Sequence, residues 1–465
     1  MMASWRFPAL LARPWTGVPT AVLMATLAAI LFLSGLPTPA VAQRSSPALQ
    51  FVHDAEIEQT LRRFARPIFQ AAGVDPDAVS ITLVQNENIN AFVAGGMHMF
   101  FHTGLLMKSK NAGQLIGVIA HETGHIAGGH LVRAKDAMEG ASAEALLATL
   151  VGAAAAIGSR NPGAGAMVML GGQELARRNY LSFSRAQESA ADQAGLSYLE
   201  QTGISARGIQ EFLENLESQE MLPVERQSEF VRTHPLTHER IETVRAAVAR
   251  SRHANTPVPA ELEELHRRMV AKLQGFLAPQ AALRLYKAED KSLSARYGRA
   301  IALYRQRQIK EALALMEGLI AAEPRNPYFH ELKGQALLEN SQIAPAILAY
   351  RKAVALKGES PLLREAFGQA LLESREPEHL AEAIRNLEAG VQMERAAPLS
   401  WRLLATAYGR QNDTGRTAYA LAEEAMARGD RTGARQQAER SLKLLPKGSA
   451  NAMRAQDILL ATQPR

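Results

Sequence analysis

The chain has 465 residues, 47% of them hydrophobic and 21% charged, which excludes a disordered or collagen-like polypeptide. At ~150 residues per domain this length calls for at least two domains. There is no cysteine, so disulfides, thiolate catalysis and thiolate metal ligands are excluded. The net charge of +6 is uneven: residues 1–42 carry +2 (Arg6 and Arg13), residues 43–250 carry −4 and residues 251–465 carry +8. Such asymmetry marks parts with different surfaces and does not indicate nucleic acid, so no nucleic-acid partner is expected.

Residues 1–17 contain two arginines and no acid, an apolar run of about 13 residues (Ala21 to Leu33) follows, and then comes Pro39-Ala40-Val41-Ala42. This is the order of a secretory signal peptide with a small-x-small cleavage site, and the run is short of the ~20 residues needed to span a bilayer. Cleavage after Ala42 is expected, placing the mature chain outside the cytoplasm. Residues 54–72 carry an amphipathic helix, with Ile57, Leu61, Phe64 and Ile68 on one stripe. Residues 80–85 predict a strand, and 89–106, punctuated by Gly95, Gly96 and Gly104, two short strands and a turn. Helices are predicted over 110–135, 173–201, 206–219 and 238–250, with 221–237 as loop. The nearly all-apolar segment 142–171, broken at Ser159–Gly163, reads as a buried helical hairpin or a flap over a cleft; peripheral contact with a membrane is the alternative. Residues 251–260, with two prolines and no periodicity, end the first domain. The expected divisions are 43–255, a helical connector over 256–292, and 293–465.

The last part repeats with a period near 34, as tetratricopeptide units do. Units starting at 293, 327, 361 and 398, and one near 415, place small and aromatic residues at matching positions: Ala312 and Pro324; Gly334, Ala346 and Tyr350; Gly368; Trp401, Ala405 and Tyr408; Ala434, Ala438 and Pro446. Small residues let paired helices approach, and aromatics fill the gap to the next pair.

The chemistry centres on His121-Glu122-Thr123-Gly124-His125. Residues four apart share one helix face, so the two imidazoles can grip one Zn²⁺, with Glu122 one step round as general base for an attacking water. Tetrahedral zinc needs a further protein ligand. A histidine ten residues after His121 would complete one known scheme, but that position is Leu131, and His130, one residue earlier, would be turned ~140° from His125 on a continuing helix. A glutamate on a later helix is the other scheme: Glu188 comes first, ahead of Glu174 and Glu200. Asp192, four residues on, can take a hydrogen bond from the far nitrogen of a ligand histidine.

The HExxH motif followed by a Glu188-Ser-Ala-Ala-Asp192 helix resembles the gluzincin metallopeptidases of the HtpX/CAAX-prenyl-protease superfamily. Asn90-Ala91-Phe92 with Gly96 and Gly104-Leu105, Arg185, and Thr233-His234-Pro235 with Arg240-Ile241 resemble that family's other landmarks. The export signal and the repeats are similar to its periplasmic branch. The resemblance implies an α+β zincin-type metalloprotease domain, mainly helical with a small sheet, followed by an all-α tetratricopeptide solenoid. It further implies one Zn²⁺ held by His121, His125 and Glu188, with Glu122 as base. It puts His234 in the fourth position on a loop that shuts the site, and Arg240 at an oxyanion or at that loop. Asp192 and His130 would support the ligands, and Asn90 and Phe92 would border an edge strand that pairs with extended substrate. The implied activity is periplasmic endopeptidase action on misassembled outer-membrane proteins, with their assembly complex or another protein held by the repeats. The second reading is a chaperone or scaffold for such clients with the peptidase latent.

Overall fold

The computed structural model describes residues 50–94, 97–130, 185–220, 222 and 226–463. The leader 1–42, Gly95, Gly96, the apolar segment 142–171 and Glu174 lie outside the described residues.

Asp54 starts the first helix, α1 (Ala55–Ala71), by accepting the backbone N–H groups of Glu56 and Ile57, which have no partner inside the helix. The stripe of Ile57, Leu61, Phe64 and Ile68 is fully buried. It packs in one core with a four-stranded sheet: β1 (Phe51–Val52), β2 (Ser80–Val84), β3 (Ala91–Ala94) and β4 (His98–His102). The strand order is β1-β2-β4-β3. β2 and β4 run parallel, with Ser80 opposite His98 and Val84 opposite His102; β1–β2 and β3–β4 are antiparallel, the latter with Ala91 opposite Phe101. Among the described residues β3 is therefore an edge strand.

After the short α2 (Thr103–Lys108) comes α3 (Ala112–Ala127), which carries HExxH and is capped by Asn111 accepting from Gln114 N–H at 2.9 Å. The sequence predicts this helix to continue to 135. It stops at Ala127 instead, because Gly129 takes the left-handed conformation at φ 61°, a usual way to end a helix. The next described helix, α4 (residues 185–202), crosses α3 closely. A Cβ on Gly124 would meet the Ala191 backbone at 2.7–2.9 Å, so only glycine permits that approach. Helices α5 (Arg207–Glu220) and α7 (His238–Arg250) follow. Between them, where loop is predicted, Ser228 caps a short helix, α6 (Glu229–Thr233), through Val231 N–H.

The rest is helical throughout. α8 (Ala260–Leu277) contributes Met269 and Leu273 to the first core and also packs on the repeats. Its Glu263 accepts the Ala112 N–H at the start of α3 (3.2 Å), and its His266 donates to the Ser109 hydroxyl (2.7 Å), which itself donates to Leu106 O. The residues read as a connector thus set the start of the HExxH helix. After α9 (Pro279–Leu285) come α10 (Leu293–Arg305), α11 (Ile309–Ala322), α12 (Pro327–Glu339), α13 (Ile343–Leu356), α14 (Pro361–Glu373) and α15 (Pro377–Met393). The run ends with α16 (Pro398–Arg410), α17 (Thr414–Ala427), α18 (Arg431–Leu444) and α19 (Ala450–Ala461). Arg307, Ser341, Arg375 and Asn412 have φ of 58–62° and form the turns after the first helix of successive pairs. Their 34-, 34- and 37-residue spacing is that of the helix starts at 293, 327, 361 and 398. Proline at the first helical position of α12, α14 and α16 suits a place where no N–H partner is lost. α17 packs on both α16 and α18, which is how starts at 398 and near 415 fall so close. Small mixed sheet with flanking helices, then a tetratricopeptide-like solenoid, is the architecture. Among the described residues no helix is long and apolar enough to cross a membrane.

Buried charge ties the solenoid to the first helix. Lys272 of α8 lies 2.8 Å from Asp54 and 3.1 Å from Glu56, and the Tyr297 hydroxyl of α10 donates to Glu56 at 2.6 Å. Removing one partner of a buried ion pair leaves an uncompensated charge, so Lys272→Ala is expected to lower stability by about 3–5 kcal/mol. Denaturant titration reads this directly; a loss below about 1 kcal/mol would show that the carboxylates rehydrate instead.

Candidate metal centre

Four buried side chains from three elements converge: His121 and His125 from α3, Glu188 from α4, and His234 from the end of α6. His121 Nε2 and His125 Nε2 are 3.2 Å apart. Glu188 oxygens lie 3.4 Å from the first and 3.3 Å from the second. His234 Nδ1 is 3.4 Å from His121 Nε2 and 3.1 Å from Glu188 Oε1. Four donors each about 2.0–2.1 Å from one ion would be separated by about 3.3–3.4 Å in a tetrahedron. The separations given lie near that figure, the four ligand atoms all fall within 4.8 Å of one another, and three imidazoles with a carboxylate are a donor set that suits zinc.

The outer nitrogen of each imidazole is occupied, which turns the inner one to the centre. His121 Nδ1 bonds Asp192 Oδ1 at 2.8 Å. His125 Nδ1 bonds His130 Nδ1 at 3.1 Å. His234 Nε2 donates to the Ala91 carbonyl at 3.2 Å. Asp192 is gripped in turn by Arg240, whose Nε and Nη2 donate to its two oxygens at 2.6 and 2.9 Å. Arg240 Nη1 donates to Pro235 O at 2.8 Å and lies 3.0 Å from Glu188. All three guanidinium nitrogens are thus engaged by the protein. Because α3 ends at Ala127, the chain doubles back and brings His130 beside His125, where a continuing helix would have turned it away.

Electrostatics follow the same layout. Burial disfavours charge on His121, but its bonds to Asp192 and Glu188 outweigh that and raise it to about 10. Burial, with the neighbouring charges of His121 and His234, outweighs the bond to Glu188 and lowers His125 to about 4. Burial also opposes ionisation of Glu188 and Asp192, yet the surrounding histidines and Arg240 hold both below the ordinary carboxylate range. Glu122 is fully buried, and neither oxygen accepts a hydrogen bond; His234 Nε2 stands 3.5 Å from one of them. Burial raises its carboxyl above the ordinary value.

Glu200, the other described candidate, lies away from the cluster at the end of α4, accepting from the Ser251 hydroxyl at 2.5 Å. Asn90 borders the site through the Thr233 hydroxyl, 3.3 Å away. Phe92 instead stacks on Phe100 in the sheet at 5.0 Å. Three supports were not foreseen from sequence. The Ala91 carbonyl orients His234, the Phe230 ring stacks on the same imidazole at 4.6 Å, and Glu229 near His102 (3.3 Å) anchors α6 to the sheet. The first is a backbone atom and the others depend on long-range folding, so no local pattern signals them.

Residues 52–248 match the family model described as peptidase family M48. The chain is 30% identical over 269 residues to the beta-barrel assembly-enhancing protease of Escherichia coli (strain K12), covering 54% of this chain and 52% of that protein. It is 28% identical over 260 residues to the beta-barrel assembly-enhancing protease of Yersinia pestis, with the same coverage. The chain spans about half the length of the curated relatives it matches. Among solved structures, the tetratricopeptide protein YrrB, described as having an unusual peptide-binding site, matches 39% of this chain and 95% of its own at 19% identity and a TM-score of 0.31. The part holding the histidine cluster is thus similar to M48 metallopeptidases.

Substituting Glu188→Ala is expected to remove bound zinc from the purified protein, whereas Glu200→Ala leaves it in place. Asp192→Asn keeps an acceptor but loses the charge, and is expected to weaken zinc binding about 10–100-fold. Elemental analysis and chelator competition measure both; full zinc in the Glu188→Ala protein would break the ligand assignment.

Proposed function

We propose that the chain is a zinc-dependent endopeptidase of the periplasm that degrades misassembled outer-membrane proteins and assists their assembly. The observation that carries the reading is the convergence of His121, His125, Glu188 and His234, whose ligand atoms lie within 4.8 Å of one another, with the buried carboxylate of Glu122 beside it. The secretory pattern of residues 1–42 supports the compartment. The names of the relatives from Escherichia coli and Yersinia pestis support the client class, since both are called beta-barrel assembly-enhancing proteases.

His121, His125 and Glu188 would hold the metal, which supplies Lewis acidity to a peptide carbonyl and to an attacking water when bound. Glu122 takes the water proton and returns it to the leaving amine. Its raised carboxyl pKa lies nearer to working pH, as a base that must also act as an acid requires. Asp192 fixes the tautomer of His121, and Arg240 fixes Asp192, Glu188 and the Pro235 turn together. This makes Arg240 a positioning residue for the loop and the ligands rather than a contact to the oxyanion. An extended substrate pairs with β3, whose outer edge faces the cluster at Ala91.

That edge is occupied in this structure. Phe230 N–H donates to Ile89 O at 3.0 Å and His234 to Ala91 O, so the 230–234 segment takes two alternate carbonyls that an incoming strand would use. The same segment holds His234 Nδ1 3.4 Å from His121 Nε2 and 3.1 Å from Glu188, which supports a role for it as fourth ligand. This favours a latent resting enzyme and gives weight to the second reading, in which client binding through the repeats operates without cleavage.

Two measurements separate these readings. Glu122→Gln is expected to lower peptidase turnover by about 10²–10⁴-fold while client binding persists; unchanged turnover would remove Glu122 from the chemistry. His234→Ala is expected to raise turnover on an unfolded outer-membrane protein, and no gain would remove the latch.

A further inference from the structure

A cavity of about 570 Å³ lies between the β1–α1 junction and α8 on one side and the inner faces of α12 and α14 on the other. Three carboxylates open onto it: Glu331 and Glu339 from α12, and Glu365 from α14. None has an ion-pair partner within 4 Å among the described residues. Glu331 Oε2 is buried and accepts no hydrogen bond. Glu339 takes the Gln335 amide, with the Tyr304 hydroxyl also directed at it, and Glu365 takes the Ser400 hydroxyl. Lys272, the buried cation of the wall, is already shared between Asp54 and Glu56. Burial raises the carboxyls of both Glu331 and Glu365, against the opposing pull of Lys272 on the first and His53 on the second, neither of which pairs with them within 4 Å.

The missing partner is a cation, and the donor spacing says which kind. The only cluster of carboxylate and imidazole donors close enough to hold a metal, among the described residues, is the one around His121. An organic cation remains. Phe276, Leu273, Leu332 and Leu362 supply apolar walls on which an aliphatic stem can lie while its charged head meets carboxylates. Exposed Glu339 and Arg305 mark the mouth. Although residues 251–465 carry +8 overall, the surface turned toward the first domain is acidic here.

We propose that this cavity receives a lysine or arginine side chain of an extended client or partner polypeptide, its stem on the apolar wall and its cation among Glu331, Glu339 and Glu365. The first domain and the solenoid build this subsite jointly. The inference deepens the role given to the repeats but does not depend on the peptidase reading, because binding is measured without cleavage.

The test uses the mature full chain in a Glu122→Gln background. Fluorescence anisotropy follows labelled, otherwise neutral nine-residue peptides with Arg, Lys, Gln or Glu at the centre. The Arg and Lys peptides are expected to bind about tenfold or more tighter than the Gln peptide, the difference one desolvated charged hydrogen bond makes, and the Glu peptide weakest. Joint Glu331→Gln and Glu365→Gln substitution is expected to erase the preference. Gln369→Lys, which supplies a cation inside the cavity, is expected to do the same and keeps the test decisive if the double variant fails to fold. Equal affinity for the Arg and Gln peptides would overturn the proposal, as would an Arg preference that survives in the folded variants. Arginine amide competing as well as the whole peptide would overturn the polypeptide as occupant.

Discussion

The short bond from His121 to Asp192, with Arg240 closed over the same carboxylate, is the interaction on which the rest of the site depends. It joins α3, α4 and α7 at one buried point. Three imidazoles, three carboxylates and a guanidinium are costly to take out of water singly. They are tolerable together because each polar atom save those of Glu122 is directed at a partner or at the common centre. The same arrangement decides the chemistry. A histidine whose outer nitrogen is held can only present its inner nitrogen inward, and the three histidines are held by three different groups: a carboxylate, a second imidazole and a backbone carbonyl. The glycine at 124 belongs to this account, since without the close α3–α4 crossing Glu188 and Asp192 would stand too far from the HExxH face.

Much of this was legible in the sequence, and the exceptions have physical causes. The pairing of His121 with His125 follows from helical pitch alone. Glu188 could not be separated from Glu174 and Glu200 by spacing; resemblance separated it, and the fold then placed Glu200 away from the cluster. His130 looked misdirected because the helical pattern runs on through Ala127, whereas Gly129 turns the chain back on itself. The short helix carrying His234 was hidden in a segment rich in loop residues, and it forms because Ser228 caps it and because Ile89 and Ala91 offer free carbonyls. In the repeats the 34-residue period was readable from alanines and aromatics. The left-handed turns that enforce it, at Arg307, Ser341, Arg375 and Asn412, were not, since none of them is the glycine that usually announces such a turn.

The two halves of the molecule are less separate than a protease followed by an appended array. α8 contributes to the first core, positions the start of α3 through Glu263 and His266, and packs on the solenoid through Arg268 and Glu323, 2.8 Å apart. Charge is distributed to match. The carboxylates of Asp54 and Glu56 are neutralised by Lys272 of α8, while Glu331 and Glu365 line the cavity without an ion-pair partner among the described residues. A polypeptide bound between the halves would touch α8, and α8 touches the helix that carries His121, Glu122 and His125.

The account rests on three histidines and one glutamate sharing a single ion, and X-ray absorption at the zinc edge tests that most directly. Zinc-loaded protein should show only nitrogen and oxygen neighbours at about 2.0–2.1 Å, with outer-shell scattering from three imidazoles that falls to two in the His234→Ala protein. Two imidazoles in the unaltered protein, with no change on substitution, would contradict it.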